Sequence, residues 1–245
     1  MTGFIFALTM RQLLFRKSTL LLLALAAIPV LIAVVFELGN DGETLAEEFA
    51  VEVLGVWLVI TTLLPLTAVL FGTSVLGDEL EDGTVIYLLT KPVQRWTILL
   101  PKVAAAWLLT TMLVVGSLAA SVAIVLGGDG GQIVLGFGAA AAIGALAYAV
   151  VFVLLSIVTS RALIAGLIFV FIWEGAVTGI FEGVRYLSIR HYTLGLADWL
   201  SDVETDYLDA YVGGVTALIL STAVIFAGFV YANQRLRRTE IREAT

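Results

Sequence analysis

Apolar residues dominate six long stretches of this chain, and the charged residues, with one exception, fall outside them. The stretches are Ser18–Phe36, Val53–Gly77, Val103–Gly128, Gly130–Ser160, Ala162–Phe181 and Ala210–Gln234, and Glu174 is the sole charge inside any of them. Each has the roughly 20 residues that a helix needs to cross a bilayer. The pattern therefore predicts an all-α integral membrane protein with six transmembrane helices. The first stretch follows Arg11, Arg16 and Lys17, a flank that also suits a signal peptide, but its 19 uncharged residues exceed the usual apolar core of about 7–15. It is read as a retained span, in which neighbouring helices can satisfy the carbonyl freed by Pro29.

Composition agrees with this reading. The chain is 60% hydrophobic with a mean hydropathy of +1.05, whereas soluble domains are about 45–50% apolar. Charge then orients the spans. Eleven of the 13 Lys and Arg residues fall on one side, and only Arg185 and Arg190 on the other, which by the positive-inside rule puts both termini in the cytoplasm. The outer loops collect acids: Asp41, Glu43, Glu47, Glu48, Asp129, Glu182, Asp198, Asp202, Glu204, Asp206 and Asp209. Such a surface can concentrate cations, or it can keep the protein solvated at high ionic strength, as in salt-loving microbes. The second reading is the expectation, because at 1 M salt a Debye length of about 3 Å would erase steering. With no cysteine present, disulfide and thiol chemistry are excluded.

No linker, low-complexity tract or second soluble domain interrupts 1–245, so one membrane domain is expected. Over 1–17, Phe4, Ile5, Leu8, Leu13 and Phe15 mix with Arg11, Arg16 and Lys17, as in a helix lying in the membrane interface. In the fourth span, Gly136, Ala140 and Gly144 recur every fourth residue, a spacing that lets helices approach closely in lipid. The stretch 182–209 carries Tyr186, Leu187, Tyr192, Leu194, Leu196, Trp199 and Leu200, so short helices dipping into the outer interface are expected there.

The segment 77–102 is the hydrophilic island on the basic side. Asp78, Glu79, Glu81 and Asp82 would crowd the start of a short helix over 78–91, where the helix dipole favours acids. Gly83 permits a bend. Thr84, Val85, Leu88 and Leu89 fall at helical spacing and make an apolar edge. Lys91 suits the helix end, and Pro92 terminates it. Arg95 and Lys102 bracket the start of the third span. Held between two membrane helices by Gly77 and Pro92, such a helix is a lever.

The run Glu79-Leu80-Glu81-Asp82-Gly83-Thr84, with Leu88-Leu89, Pro92-Val93, Arg95 and Lys102, resembles the signature loop of ABC type-2 transporter permeases. Within that family it is similar to the six-span subfamily that includes the permease of nitrous-oxide-reductase maturation systems. Family members often have Gly before the lysine, where this chain has Pro101. The resemblance implies a permease half that pairs with a second permease subunit and with separate ABC ATPase subunits. Asp78, Glu79, Glu81, Asp82, Gly83, Thr84, Leu88, Leu89, Pro92 and Arg95 would then meet the ATPase. It also implies an elbow helix over 1–17 and outer re-entrant helices over 182–209.

No G-x-x-x-x-G-K-[ST] phosphate loop occurs, so ATP and Mg are expected on the partner, and the chain is expected to need no cofactor of its own. No metal site is expected around His191, the one histidine, and no nucleic-acid partner. Glu174 has two readings. It faces a cavity as a substrate or proton contact, or the fifth helix breaks near Gly175 and leaves it at the outer headgroups; the break is the expectation. Pro65 is expected to bend the second span. Thr61, Thr62, Thr110, Thr111, Ser117, Ser121, Ser221 and Thr222 are expected to bond helix carbonyls. Three other functions are weaker: a non-transporting anchor for a regulatory or mechanical ATPase, an ion-driven secondary transporter, and an intramembrane enzyme.

Overall fold

The computed structural model describes residues 2–39, 46–81, 94–201, 208 and 210–243, with 78–81 and 237–243 as backbone alone. Eight helices follow one another and no strand occurs among these residues. They are α1 (Thr2–Leu14), α2 (Lys17–Gly39), α3 (Ala46–Gly77, winding on to Glu81), α4 (Trp96–Leu126), α5 (Gly131–Val158), α6 (Ala162–Ile180), α7 (Ile189–Ser201) and α8 (Gly214–Glu243). Six of them (α2, α3, α4, α5, α6 and α8) are long and apolar enough to cross a membrane. The chain is a multi-pass, all-helical membrane protein.

Two span boundaries differ from those the apolar runs predict. The second span begins at Ala46 rather than Val53 and takes Glu47, Glu48 and Glu52 into its first turns. Acids there face the positive end of the helix dipole, which offsets their cost. The third begins at Trp96 rather than Val103, so Lys102 lies inside it. Pro101 is inside as well, one turn beyond the start, where its ring supplies no N–H to Thr97 O.

The bundle is organised around α5, which packs against α3, α4, α6, α7 and α8. Lipid is as apolar as leucine, so spans associate through van der Waals contact and interhelical hydrogen bonds. Glycine makes that contact close. A Cβ at Gly55 or Gly72 of α3 would overlap Phe137 or Phe152 of α5, and one at Gly228 of α8 would overlap Val150. Gly166 of α6 meets Val69 of α3 in the same way. Phe152 also stacks on Tyr148 and meets the Phe169 edge of α6, with ring centroids 5.7 and 6.1 Å away. Two side-chain bonds add to this packing: Trp107 Nε1 of α4 donates to Ala142 O (2.9 Å), and Ser117 Oγ of α4 donates to Ala26 O of α2 (2.6 Å).

The small-residue stripe on α5 has a specific occupant. A Cβ at Gly136 would run into the backbone of Ser201, and one at Gly144 into the side chain of Thr193. Gly136 and Gly144 therefore seat α7, which lies antiparallel on α5 and places Ala197 opposite Ala140. The segment 182–201 thus forms a 3₁₀ turn (Glu182–Leu187) and a helix with Ile189, Tyr192, Leu196 and Ala197 buried, docked into the bundle.

Over Phe49–Leu63 in α3 and Phe169–Val177 in α6 the backbone pairs i→i+5, a winding that is rare and concentrated at functional sites. In α3 the wide turns stop just before Pro65, whose ring supplies no N–H. Thr62 Oγ1 donates back to Trp57 O (2.8 Å), and Thr67 Oγ1 donates to Leu63 O and Leu64 O (2.8 and 3.0 Å). At Pro65 the helix changes its winding.

Gly144→Val should unseat α7 at a cost of about 1–3 kcal/mol, the usual cost of overpacking. Gly116→Val, where no atom lies within 4 Å of the added Cβ, should cost much less. Thermal unfolding of both variants in the same detergent reads the difference.

Candidate functional site

Two regions carry the chemistry: the end where α3 turns toward α4, and the corner where α6 turns into α7.

At the first, α3 continues through Gly77 to Glu81. A break at Gly77 is therefore absent, and Asp78, Glu79 and Glu81 sit on the last turn of α3 rather than opening a separate helix. The physical reason is that an isolated glycine costs a helix only about 1 kcal/mol relative to alanine, too little to end it. Asp82, Gly83, Thr84, Leu88, Leu89 and Pro92 lie outside the described residues. Arg95 precedes α4 and is buried. Lys102 does not bracket the span but is 1% exposed within it, and its Nζ donates to Val75 O of α3 at 2.7 Å. That bond joins the end of α3 to the start of α4.

At the second, α6 runs unbroken past Gly175 to Ile180, so the expected break that would put Glu174 at the headgroups is absent. Wide-turn winding keeps the helix bonded through this glycine. Glu174 is instead 2% exposed. Its carboxylate accepts from Ser188 Oγ (2.5 Å), Ile189 N (2.9 Å) and Arg190 N (3.2 Å). It thus caps the N-terminus of α7 from a neighbouring helix, taking donors that a helix start leaves unpaired, at the end where the dipole favours an anion.

A second layer fixes the corner. Arg190 Nη2 donates to Thr178 Oγ1 (3.1 Å), Thr178 Oγ1 to Glu174 O (2.7 Å), and Arg185 Nε to Thr178 O (3.2 Å). Trp173 Nε1 reaches Leu187 O (3.2 Å), and Tyr192 Oη donates to Tyr186 O. His191 Nδ1 lies 2.9 Å from Ser188 Oγ. Tyr148 of α5 is wholly buried and faces the same corner, beside Glu174 and Arg190. Leu64, the residue before Pro65, reaches the same Gly144 seat as Thr193, so the wide-turn junction of α3 abuts α7.

Sequence reasoning named Glu174 and Pro65 but missed Ser188, Arg190, Thr178 and Tyr148. A serine directly before an amphipathic stretch is a helix-start signal that points to Ser188; the tertiary partner has no local signature. Of the membrane hydroxyls, Thr62, Ser117, Ser121 and Thr222 bond helix carbonyls as expected. Thr110, Thr111 and Ser221 have hydroxyls without a partner among the described residues. No group of three His, Cys, Asp or Glu side chains that could hold a metal occurs among those residues.

The family model described as ABC-2 family transporter protein matches residues 14–184. The chain belongs to this family. As an ABC-2 permease it is the membrane component of an ABC transporter, and membership implies association with ABC ATPase partners. The match runs from the end of α1 into the turn after α6, so α7 and α8 of this permease lie beyond it. No curated protein matches the chain.

One outcome follows. Lys102→Met should cost about 1.5–3 kcal/mol, the range for a hydrogen bond from a charged donor, read as a lower denaturation midpoint.

Proposed function

We propose that the chain is the permease subunit of an ATP-driven exporter in a cell membrane. Both termini lie in the cytoplasm, and α1 serves as an elbow helix in the inner interface. It works with a second permease subunit, the same or different, in surrounding lipid. Two separate ABC ATPase subunits bind and hydrolyse ATP with Mg, since the chain has no phosphate loop. Asp78, Glu79, Glu81, Asp82, Gly83, Thr84, Leu88, Leu89, Pro92 and Arg95 form the surface that an ATPase grips.

One observation carries the coupling reading: Lys102 Nζ bonded to Val75 O ties α3 to α4 beside that loop. A displacement of 82–93 would reach both spans as a pair, whereas untied helices would absorb it. A motor can shift a conformational equilibrium only through contacts that differ between the two states, and this loop is where those contacts would be made. Glu174 and Pro65, on either side of the α7 seat, are placed at the gate.

Glu81→Arg or Gly83→Pro should reduce stimulation of the co-purified ATPase in proteoliposomes by about tenfold, within the usual coupling of roughly 1–3 kcal/mol, with membrane insertion unchanged. Tightly coupled turnover in both variants would sink the assignment of this loop. An ATPase that binds and turns over but moves no substrate would favour the non-transporting anchor.

A further inference from the structure

α7 is attached to its neighbours in unlike ways. Its N-terminus and the turn before it are held to α6 by polar bonds: three donors on the Glu174 carboxylate, Arg190 on Thr178, and Trp173 reaching Leu187 O of the turn. Its length is held to α5 by contact alone, through Gly136, Ala140 and Gly144, and no hydrogen bond among the described residues joins α7 to α5. Its middle and far end meet the entry to α8 through close glycine contacts, Gly195 under the carbonyl of Val212, just before α8, and Gly214 against Trp199.

Depth separates these attachments further. Counting along α6 at about 1.5 Å per residue, Glu174 lies roughly 15–18 Å from Ala162, near the middle of a hydrocarbon layer about 30 Å thick. Tyr148, counted back along α5 from Val158, reaches a similar depth. There a buried carboxylate stripped of its donors is strongly destabilising, whereas parting two small-residue helix faces forfeits only van der Waals contact.

We propose that α6, the 182–187 turn and α7 move as one body latched by Glu174, and that the α5 face bearing Gly136, Ala140 and Gly144 is the plane on which that body slips. Glu174 is then a positioning residue. It touches no cargo, and it transmits displacement of α6 to the re-entrant helix. The latch stands on geometry alone; only its use during turnover rests on the transporter reading.

The chain has no cysteine, so engineered thiols report without background. The first test uses the full chain alone in nanodiscs. Glu174→Gln should speed amide exchange in the 185–192 region by at least about tenfold, the worth of one charge-assisted hydrogen bond, and leave the core of α5 unchanged. Glu174→Cys with Ser188→Cys, bridged by a short bifunctional thiosulfonate, should restore slow exchange, and reduction should abolish it. If Glu174→Gln does not insert, Ser188→Ala should shift exchange the same way by less. Exchange indifferent to the loss of Glu174, or not restored by the bridge, would overturn the latch.

The second test adds the partner ATPase. Bridging Ala140→Cys to Ala197→Cys should stop nucleotide turnover reversibly, while bridging the 174/188 pair should raise turnover above that of the same double variant unbridged. The opposite pattern would overturn the slip plane. Failure of any ATPase to bind would instead defeat the transporter reading, and the exchange result would still judge the latch.

Discussion

Because lipid offers apolar side chains nothing that a neighbouring helix does not, the structure depends on how closely backbones can approach α5. Each neighbour that lies deep against it does so where one of the two residues has no side chain: Gly55 and Gly72 on α3, Gly228 on α8, and Gly136 and Gly144 of α5 itself beneath α7. Dispersion falls off steeply with separation, so an added methylene at such a point removes contact over a whole face. The large side chains Phe137 and Phe152 lie over Gly55 and Gly72 at these crossings, and Tyr148 stacks on Phe152 beside them. The short helix α7 is positioned by the same rule.

Where apolar packing supplies the area, polar bonds supply the register. Ser117 to Ala26, Trp107 to Ala142 and Lys102 to Val75 each fix one span against another at a single depth. Glu174 does so for a helix that does not span. Polar bonds between uncharged groups are worth on the order of 1 kcal/mol in a membrane, which is modest against packing but enough to select one sliding position among many. The two features are complementary: glycine allows contact at several registers, and a buried donor or acceptor chooses between them.

The six spans were legible because hydrophobicity over about 20 residues is a strong signal. The family was legible because its loop residues are consecutive in sequence. Boundaries were less so, since counting charges treats Glu47, Glu48, Glu52 and Lys102 alike as loop residues. A helix start welcomes the first three, and a carbonyl of another span receives the fourth. Glu174 was misread for a related reason. Its partners Ser188, Ile189 and Arg190 lie 14 to 16 residues away, beyond any helical periodicity, so Gly175 looked like the more informative neighbour. The Gly136/Ala140/Gly144 stripe was read as a packing face, but its spacing cannot say that the occupant is a short helix and not another span.

Lys102 has a consequence for biogenesis. A lysine well inside the hydrocarbon costs roughly 2.5–3.5 kcal/mol during translocon-mediated partitioning, less toward the ends of a segment. Here the ammonium turns inward, onto the carbonyl of Val75. A hairpin of the second and third spans that entered lipid as a pair would carry this bond already made, and α4 would then be spared the cost of a lysine without an acceptor.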